Sequence, residues 1–359
     1  MNTILKQAPS GETIGAGDAA AVLYTICPVL NGSAAAAELG WLDEEFARVG
    51  AKATYLRSLP ENEGWLPHYN HGKTRLFRDG GAIPTIQAKA DRIDTTLIGL
   101  TWGQTGGSIL VRADSGIRRV ADLKGRRIGL IKSLNRGKID FQRATAEFGI
   151  ELALHLAGLS RADVEIVDLE HTDQQQHPPA AKPSQVWARA RSLFGHKAAD
   201  VAGLEAGVVD AIHSDAARAF GLIASGRFTA IEDLSRHPDW TLQISNGPYT
   251  AAVDTEFAVA NRDVVVAFLR AAIRGGRWAK ENPRAAAPIY RRATFFDDLE
   301  QIEKHIAAAD LIPNLSRRNR AAIEIQKSFL ISHGYQTNDF AVDDWANGDY
   351  LAEALESLR

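Results

Sequence analysis

The chain has 359 residues, of which 45% are hydrophobic and 24% are charged. This composition excludes disordered and fibrous proteins, and the length predicts two lobes rather than one ordinary core. The net charge of −3 argues against a nucleic acid or an anionic membrane as partner, and no apolar run approaches the roughly 18–20 residues of a membrane span.

The first residues and the cysteine content bear on location and redox chemistry. Residues 1–20 are interrupted by Lys6, Pro9 and Glu12 and lack the long apolar segment of a secretory signal, so we expect a cytoplasmic protein. The sequence contains one cysteine, Cys27, which excludes an intrachain disulfide and a cage of several thiolates around a metal.

Short β-rich runs alternate with helical patterns through the first hundred residues, which is typical of parallel sheets connected by helices. The segment 60–81 has no clean period and predicts a long loop or a broken helix. The remaining runs predict strands at 20–25, 52–56 and 95–100 and helices at 34–49 and 83–90.

The middle of the chain is also rich in short strands, and the end is nearly all helix. The polar, proline-bearing segment 171–185 predicts a mobile loop, either a lid over a cleft or a tolerated surface insertion. The glycine-rich residues 102–108 predict a hinge turn, in which Gly106 could line a cleft. The other segments predict strands at 108–112, 127–131, 164–169, 208–213 and 246–254, and helices at 120–123, 197–205, 262–281, 283–292, 296–309, 317–333 and 345–358.

Two segments carry a resemblance at the level of fold. ADLKGRRIGL at 121–130 and LEAGVVDAIHSDAARAFGL at 204–222 are similar to the D-L-K-G-K/R-x-I-G and G-x-V-D-A segments of substrate-binding proteins for nitrate, sulfonate and taurine. The resemblance implies an α/β fold of the two-lobed, type II periplasmic-binding-protein kind, with a mostly parallel sheet in each lobe and a ligand cleft between them. The first lobe would comprise 1–110 and 248–359, and the second 111–247.

A more specific resemblance lies in the first lobe. The segment YTICPVLNG, residues 24–32, resembles the active-site segment of the hydroxyphenyl-benzenesulfinate desulfinases, enzymes that share this fold. In that family a cysteine follows the first strand within the pattern Y-S-N-C-P-V-x-N. Thr25 and Ile26 stand where the pattern has serine and asparagine. The residues that match in register are Tyr24, Cys27, Pro28, Val29 and Asn31.

A second spacing of the same family is also present. The family places a histidine, an arginine and a glycine in the order H-x9-R-x2-G, followed by I-P. His68, Arg78 and Gly81 reproduce that spacing without a gap, and Ile83 and Pro84 follow. The stretch 69–77 and Ile26 depart from the family, and these differences bear on the substrate rather than on the type of reaction.

The resemblance implies an enzyme, a C–S hydrolase that releases sulfite from an aromatic or similar sulfinate. It implies a small anionic substrate, no metal or organic cofactor, and a monomer. The residues that it assigns are Cys27 and His68 to catalysis, and Arg78, Gly81, Thr25 and Asn31 to substrate binding. From the hinge turn we also expect Gly106 to contribute to substrate binding.

The residue types are suited to this chemistry. Cys27 would lie at the carboxyl end of the first strand, where open α/β sheets bind ligands, and a nearby helix N-terminus and cation would favour its thiolate. The guanidinium of Arg78 matches two oxygens of a sulfinate, and the Gly81 amide could bind the same oxyanion. His68 could assist proton transfer near neutral pH. The Cys27 thiol could protonate the ring carbon, or its thiolate could attack sulfur; the sequence leaves both open.

Each of these residues also has a plain structural interpretation. Cys27 could be an inert buried residue, His68 an ordinary loop histidine with His71 as a competitor for its role, and Arg78 a surface arginine. A lipid-anchored cysteine is disfavoured by Ile26 and by the polar first 18 residues. A metal site at His68 and His71 lacks a third ligand.

Two other functions compete with the desulfinase hypothesis. The first is a solute-binding protein of an ABC transporter for sulfonate, taurine or nitrate. The second is an enzyme of thiamine-pyrimidine synthesis on the same fold, which would need a cysteine-rich cluster that this chain lacks. The combination of Cys27, His68 and Arg78 favours the desulfinase.

Overall fold

The computed structural model describes residues 20–103, 106–172, 178–194, 198–245 and 247–359. The strands are β1 (Ala20–Ile26), β2 (Ala51–Tyr55), β3 (Leu76–Gly81), β4 (Thr95–Trp102), β5 (Ser108–Arg112), β6 (Arg127–Ser133), β7 (Glu165–His171), β8 (Ala211–Ser214), β9 (Phe228–Asp233), β10 (Tyr249–Asp254) and β11 (Asp310–Asn314).

The helices surround these strands. They are α1 (Gly32–Leu39), α2 (Trp41–Arg48), α3 (Pro67–Asn70), α4 (Ala82–Asp91), α5 (Phe141–Leu156), α6 (Pro183–Phe194), α7 (Ala199–Glu205), α8 (Ala216–Ala224), α9 (Thr255–Ala260), α10 (Arg262–Glu281), α11 (Pro283–Ala293), α12 (Leu299–Ala308), α13 (Arg317–Ser332), α14 (Val342–Trp345) and α15 (Asp349–Glu356). None of the helices in the described part of the chain combines the length and the apolar character needed to cross a membrane.

The strands form two sheets, which confirms the predicted two-lobed α/β fold class. The first sheet has the order β11-β4-β10-β3-β1-β2, and the second has the order β7-β6-β8-β5-β9. β1 is parallel to β2 and β3, and β6 is parallel to β7 and β8. Both sheets are mixed rather than mostly parallel, because β10 and β5 run antiparallel to their neighbours. Each of these two strands enters its sheet on a chain segment that comes from the other lobe.

Small residues hold α1 tightly against the long helix α10. Residues 32–37 of α1 are all buried, and a Cβ atom on Gly32 would lie 2.1 Å from the carbonyl oxygen of Ala272. The strongly amphipathic α10 has the bounds that the sequence predicts, 262–281. Because α1 begins five residues after Cys27, this packing fixes the backbone on which Cys27 lies.

Side chains of both lobes pack together along α5. Phe148 of α5 stacks on Phe329 of α13 with ring centroids 4.3 Å apart, and the Tyr335 hydroxyl donates to Glu147 Oε2 at 2.5 Å. These contacts hold the two lobes together beside the cavity described below.

The segment around α6 differs from its prediction. The predicted loop 171–185 includes the end of β7 and the beginning of α6, while residues 173–177 lie outside the described part of the chain. Although α6 falls within the range predicted for the second lobe, it packs on the first, since the Ser184 hydroxyl donates to Glu38 Oε2 at 2.8 Å and Trp187 Nε1 donates to the Ile26 carbonyl at 3.1 Å. Burial of the apolar side chain of Trp187 accounts for this position.

Other elements were merged or missed. The predicted helix 34–49 is two helices, α1 and α2, separated at Gly40 in the left-handed region (φ 80°). The segment 60–81, predicted as a loop or a broken helix, contains α3 and β3. Strand β3 was not predicted because its buried residues include Arg78 and Asp79, which interrupt the apolar pattern of a buried strand. The sequence analysis also did not predict helices α5, α6, α8, α9 and α14 or strands β9 and β11. Parts of three further predicted elements lie outside the described residues. They are residues 104–105 of the hinge turn 102–108, residue 197 of the helix 197–205 and residue 246 of the strand 246–254.

Candidate active site

A cavity of about 540 Å³ lies between the two lobes, a volume suited to a small organic ligand. Both lobes and α6 contribute aromatic or apolar walls. The lining residues include Cys27, His68, Tyr69, Arg78, Gly81, Ile83, Pro84, Trp187, Phe295 and Phe296 beside the first sheet, and Ile131, Phe141, His213, Asp215, Arg218 and Phe220 of the second lobe.

Cys27 follows the last residue of β1, as the sequence predicts. Its amide donates to the Asp79 carbonyl at 2.9 Å, which ties it to the neighbouring strand β3. Its Sγ lies 3.5 Å from His68 Nε2 and 3.5 Å from Arg78 Nη2. A Cβ atom on Gly80 would lie 2.2 Å from this sulfur, so only glycine at position 80 leaves room for the thiol.

Burial determines the protonation state of Cys27. Burial raises the pKa of the Cys27 thiol, and this effect outweighs the Arg78 charge and a hydrogen bond from the Gly81 backbone, both of which lower it. The resting group is therefore a neutral thiol, which is one of the two forms that the sequence leaves open. The nearby cation that would favour a thiolate can be read from the motif, whereas the depth of burial cannot.

His68 lies on the short helix α3 and is buried rather than solvent-facing. Burial, with the charges of Arg78 and Arg57, holds its pKa well below the usual range, so the imidazole is neutral. Its Nδ1 lies 2.5 Å from the Thr25 hydroxyl and its Nε2 faces the Cys27 thiol. In a consistent arrangement the thiol donates to Nε2 and the Nδ1–H donates to Thr25.

Arg78 is buried on β3 and directs its guanidinium at Cys27. Its Nε donates to the His68 carbonyl at 2.8 Å, and its Nη1 donates to the Gly81 carbonyl at 2.9 Å and to the Thr85 hydroxyl at 2.5 Å. All of these acceptors are uncharged, and within the described parts of the chain no carboxylate forms an ion pair with Arg78. A buried cation without an acidic partner is costly, so this arrangement calls for an anion in the cavity.

The remaining predicted site residues separate into two groups. Gly81 lines the cavity beside Cys27 and Arg78. Thr25, Asn31 and Gly106 are not among the lining residues: Thr25 lies behind His68, and Asn31 accepts a hydrogen bond from the Ala34 amide at 2.9 Å and thereby caps α1. The Gly106 carbonyl accepts from His213 Nε2 at 3.0 Å. In this structure these three residues contact other parts of the protein rather than the cavity, and the hydroxyl of Thr25 lies against the lining residue His68.

His71 is fully buried outside the cavity lining, and burial, more than the charge of Arg78, lowers its pKa to about 3. The described residues contain no group of three or more histidine, cysteine or acidic side chains placed to hold a metal ion.

The aromatic walls were missed by the sequence analysis. The Trp187 indole lies 5.6 Å from the His68 ring, centroid to centroid, and Tyr69 of the first lobe stacks on Phe141 of the second at 5.5 Å. Trp187 follows a polar, proline-bearing stretch that carries no periodic signal. Phe141 begins a helix that the sequence analysis did not predict.

The second-lobe wall holds another arginine. Arg218 Nη1 and Nη2 donate to the two carboxylate oxygens of Asp200 at 3.0 and 2.7 Å, and its Nε donates to the Ser214 hydroxyl at 3.0 Å. Burial lowers the pKa of Arg218, but the carboxylates of Asp200 and Asp215 outweigh it, so the pKa is raised. The Arg218 guanidinium therefore carries its full positive charge, and the carboxylate of Asp200 already compensates that charge.

Comparison with curated proteins supports the resemblance seen in the sequence. The chain is 26% identical to the 2'-hydroxybiphenyl-2-sulfinate desulfinases of Rhodococcus erythropolis and Rhodococcus qingshengii, over the full length of both proteins in each case. The resemblance to sulfinate desulfinases thus extends beyond the motifs to the whole chain. The family described as NMT1/THI5 like matches residues 81–178.

Solved structures show the same fold. A cysteine-to-serine mutant of DszB in complex with biphenyl-2-sulfinic acid is similar with a TM-score of 0.72 and 22% identity, covering 94% of this chain and 99% of that one. The alkanesulfonate-binding protein SsuA from Xanthomonas axonopodis pv. citri, bound to MOPS, is similar with a TM-score of 0.63 and 18% identity, covering 93% and 100%. The fold is therefore shared by an enzyme and by solute-binding proteins, and fold similarity alone does not distinguish the two functions.

Proposed function

We propose that this protein is a desulfinase that cleaves the carbon–sulfur bond of an aromatic sulfinate and releases sulfite. The observation that carries the proposal is Arg78, a buried guanidinium that has no carboxylate partner among the described residues and that directs Nη2 at the thiol of Cys27. An anion bound by Arg78 is placed beside a proton donor. The full-length similarity to curated sulfinate desulfinases supports this assignment.

The neutral thiol favours the protonation mechanism over attack by a thiolate. The Cys27 S–H bond breaks as the proton moves to the ring carbon that carries sulfur. The C–S bond then breaks, its electron pair returns to the ring, and sulfur dioxide leaves. Addition of water to sulfur dioxide gives hydrogen sulfite and one proton, which returns to the Cys27 sulfur by way of His68 Nε2. The sum is sulfinate plus water giving arene plus hydrogen sulfite.

The aromatic walls support an aromatic rather than an alkyl substrate. Tyr69, Phe141 and Trp187 surround the space next to Cys27, and such side chains bind flat rings by stacking and edge contacts. The ring carbon that carries sulfur is also more readily protonated than an alkyl carbon, because the ring delocalises the positive charge of the intermediate.

The test is sulfite release from benzenesulfinate, biphenyl-2-sulfinate and methanesulfinate. We expect the wild-type protein to release sulfite from the aryl sulfinates, and Cys27→Ser to abolish release while sulfinate binding, followed by titration calorimetry, persists. A Cys27→Ser variant that still turns over would contradict the role of the thiol as proton donor.

A solute-binding protein is the second candidate, favoured by the fold similarity to the alkanesulfonate-binding protein. In that case the wild-type protein would bind sulfonates and sulfinates with similar affinity and release no sulfite. The aryl panel therefore separates the two functions in one experiment.

The proposal includes a monomer, because one chain supplies both walls of the cavity. Light scattering after size-exclusion chromatography should give a mass near 39.0 kDa. If the protein were instead a dimer, and its specific activity did not change when the protein was diluted, the proposed monomer would be wrong while the proposed reaction would stand.

A further inference from the structure

The orientation of Arg78 depends on acceptors that carry no charge. Nε and Nη1 together have three hydrogens, and these go to the His68 carbonyl, the Gly81 carbonyl and the Thr85 hydroxyl. The Nη2 edge alone faces Cys27. Three neutral contacts thus fix which edge of the guanidinium meets a ligand.

Thr85 is the one side chain among these three acceptors, and a second hydroxyl supports it. Thr85 is the fourth residue of α4, and Thr250 lies opposite on β10. The Thr250 hydroxyl donates to the Thr85 hydroxyl at 2.9 Å and lies 3.4 Å from the Gly80 carbonyl oxygen. Both threonines are fully buried, so neither hydroxyl exchanges its partner for bulk solvent.

The neutrality of these groups has an electrostatic consequence. An aspartate or glutamate in place of Thr85 would orient Arg78 equally well, but it would cancel the charge that a sulfinate needs, as Asp200 does for Arg218. A hydroxyl fixes the direction of the guanidinium and leaves the charge uncompensated. In the desolvated cavity, the strong ionic interaction that Arg78 can form is then made with the anion of the ligand.

We propose that Thr85, supported by Thr250, is a positioning residue that aims Arg78 at the substrate oxyanion while leaving its charge free for the substrate. The inference rests on the proposed function, since the anion in question is the sulfinate group. Neither threonine lines the cavity, so both act through Arg78 and not by contact with the substrate.

The test compares Thr85→Val, Thr85→Ser and Thr250→Val by steady-state sulfite release. We expect Thr85→Val to raise KM by about tenfold and Thr250→Val by about threefold, and Thr85→Ser, which keeps the hydroxyl, to stay within about twofold of wild type. Thr101→Val is the matched control: Thr101 is a buried threonine on β4 whose hydroxyl has no hydrogen-bond partner among the described residues.

A second measurement separates positioning from simple packing. Titration calorimetry with an aryl sulfonate and with the methyl sulfone of the same ring compares an anionic and a neutral ligand, neither of which needs turnover. We expect Thr85→Val to weaken binding of the sulfonate by about tenfold and to leave binding of the sulfone unchanged. A structural defect would weaken both ligands equally.

The outcomes distinguish the inference from the proposed function. If the wild-type protein releases no sulfite but binds the sulfonate, and Thr85→Val weakens that binding, the enzyme assignment fails and the positioning role stands. If Thr85→Val behaves like Thr101→Val in both assays, the positioning role is overturned. Should Thr85→Val not fold, an unchanged KM in Thr250→Val would overturn it equally.

Discussion

Two arginines line the cavity from different lobes, Arg78 fully buried and Arg218 with 17% of its side chain exposed, and their charges are compensated differently. Arg218 of the second lobe forms a two-pronged ion pair with Asp200. Arg78 of the first lobe is held by two carbonyls and a hydroxyl and has no acidic partner among the described residues. A buried charge that the protein has neutralised supports the fold, whereas one that it leaves uncompensated is available to a ligand.

The absence of an ion pair at Arg78 is a matter of strand geometry. Asp79 is its neighbour in the chain, but successive side chains of a strand point to opposite faces. Arg78 faces the cavity, while the Asp79 carboxylate faces α1 and accepts from the Ser33 hydroxyl at 2.7 Å. The first wall therefore contains a buried acid and a buried base that lie back to back.

The largest expected effects come from replacing each arginine by methionine. Arg78→Met should weaken sulfinate binding by about 2 kcal/mol or more, because it removes a charged contact in a desolvated site. The free energy of unfolding of Arg78→Met should fall less than that of Arg218→Met, because the acceptors that Arg78 leaves without a donor are uncharged. Arg218→Met should lower the free energy of unfolding by roughly 3–5 kcal/mol, because Asp200 is left buried and unpaired, with little change in affinity for the sulfinate.

Calorimetric titration and urea denaturation measure the two quantities. The double variant Asp200→Leu/Arg218→Met is the control, because it removes both charges and should regain much of the stability lost in Arg218→Met. If Arg218→Met instead weakened sulfinate binding as much as Arg78→Met, both arginines would bind the anion. The proposed difference between a neutralised Arg218 and an uncompensated Arg78 would then be wrong.

The next prediction concerns Asp79 and pH. Burial, only partly offset by the hydrogen bond from Ser33 and the charge of Arg78, raises the pKa of Asp79 from 3.8 to about 6. The folded protein thus holds this proton more tightly than the unfolded chain does, so the stabilising contribution is complete below pH 3.8 and is lost as pH rises through about 6. At pH 7 the loss amounts to about 3 kcal/mol.

Asp79→Asn should therefore be more stable than wild type at pH 7 and of equal stability near pH 4. Urea unfolding at the two pH values measures the difference, and Asp43→Asn, an exposed acid on α2, provides the control. A gain of the same size at both pH values would mean that Asp79 is not protonated at the lower pH.

The smallest expected effect concerns the support of His68. Thr25→Val removes the hydroxyl that lies 2.5 Å from His68 Nδ1, so the imidazole loses its fixed orientation toward Cys27. We expect kcat to fall by roughly fivefold, equivalent to about 1 kcal/mol, with KM unchanged. Thr25→Ser should restore kcat, and equal rates in the serine and valine variants would exclude an orienting role.

Much of the fold and part of the site could be predicted from the sequence. The two-lobed α/β class, the bounds of α10 and the return of β10 to the first sheet follow from periodicity and motifs. The proximity of Cys27, His68 and Arg78 was expected from a shared spacing, because a motif that recurs at fixed intervals reflects one geometry. Strand β3 was missed because its residues serve the site and interrupt the apolar pattern of a strand.

What the sequence by itself determined is which reactive groups exist and which strand carries the thiol, since both depend on local residue types and spacing. Only the tertiary structure decided that the thiol is neutral, that Arg78 is unpaired while Arg218 is paired, and that Trp187 closes the wall beside His68. Desolvation and charge pairing are sums over groups that are far apart in the chain, such as Asp200 and Arg218 or Thr85 and Thr250, and no local pattern contains them.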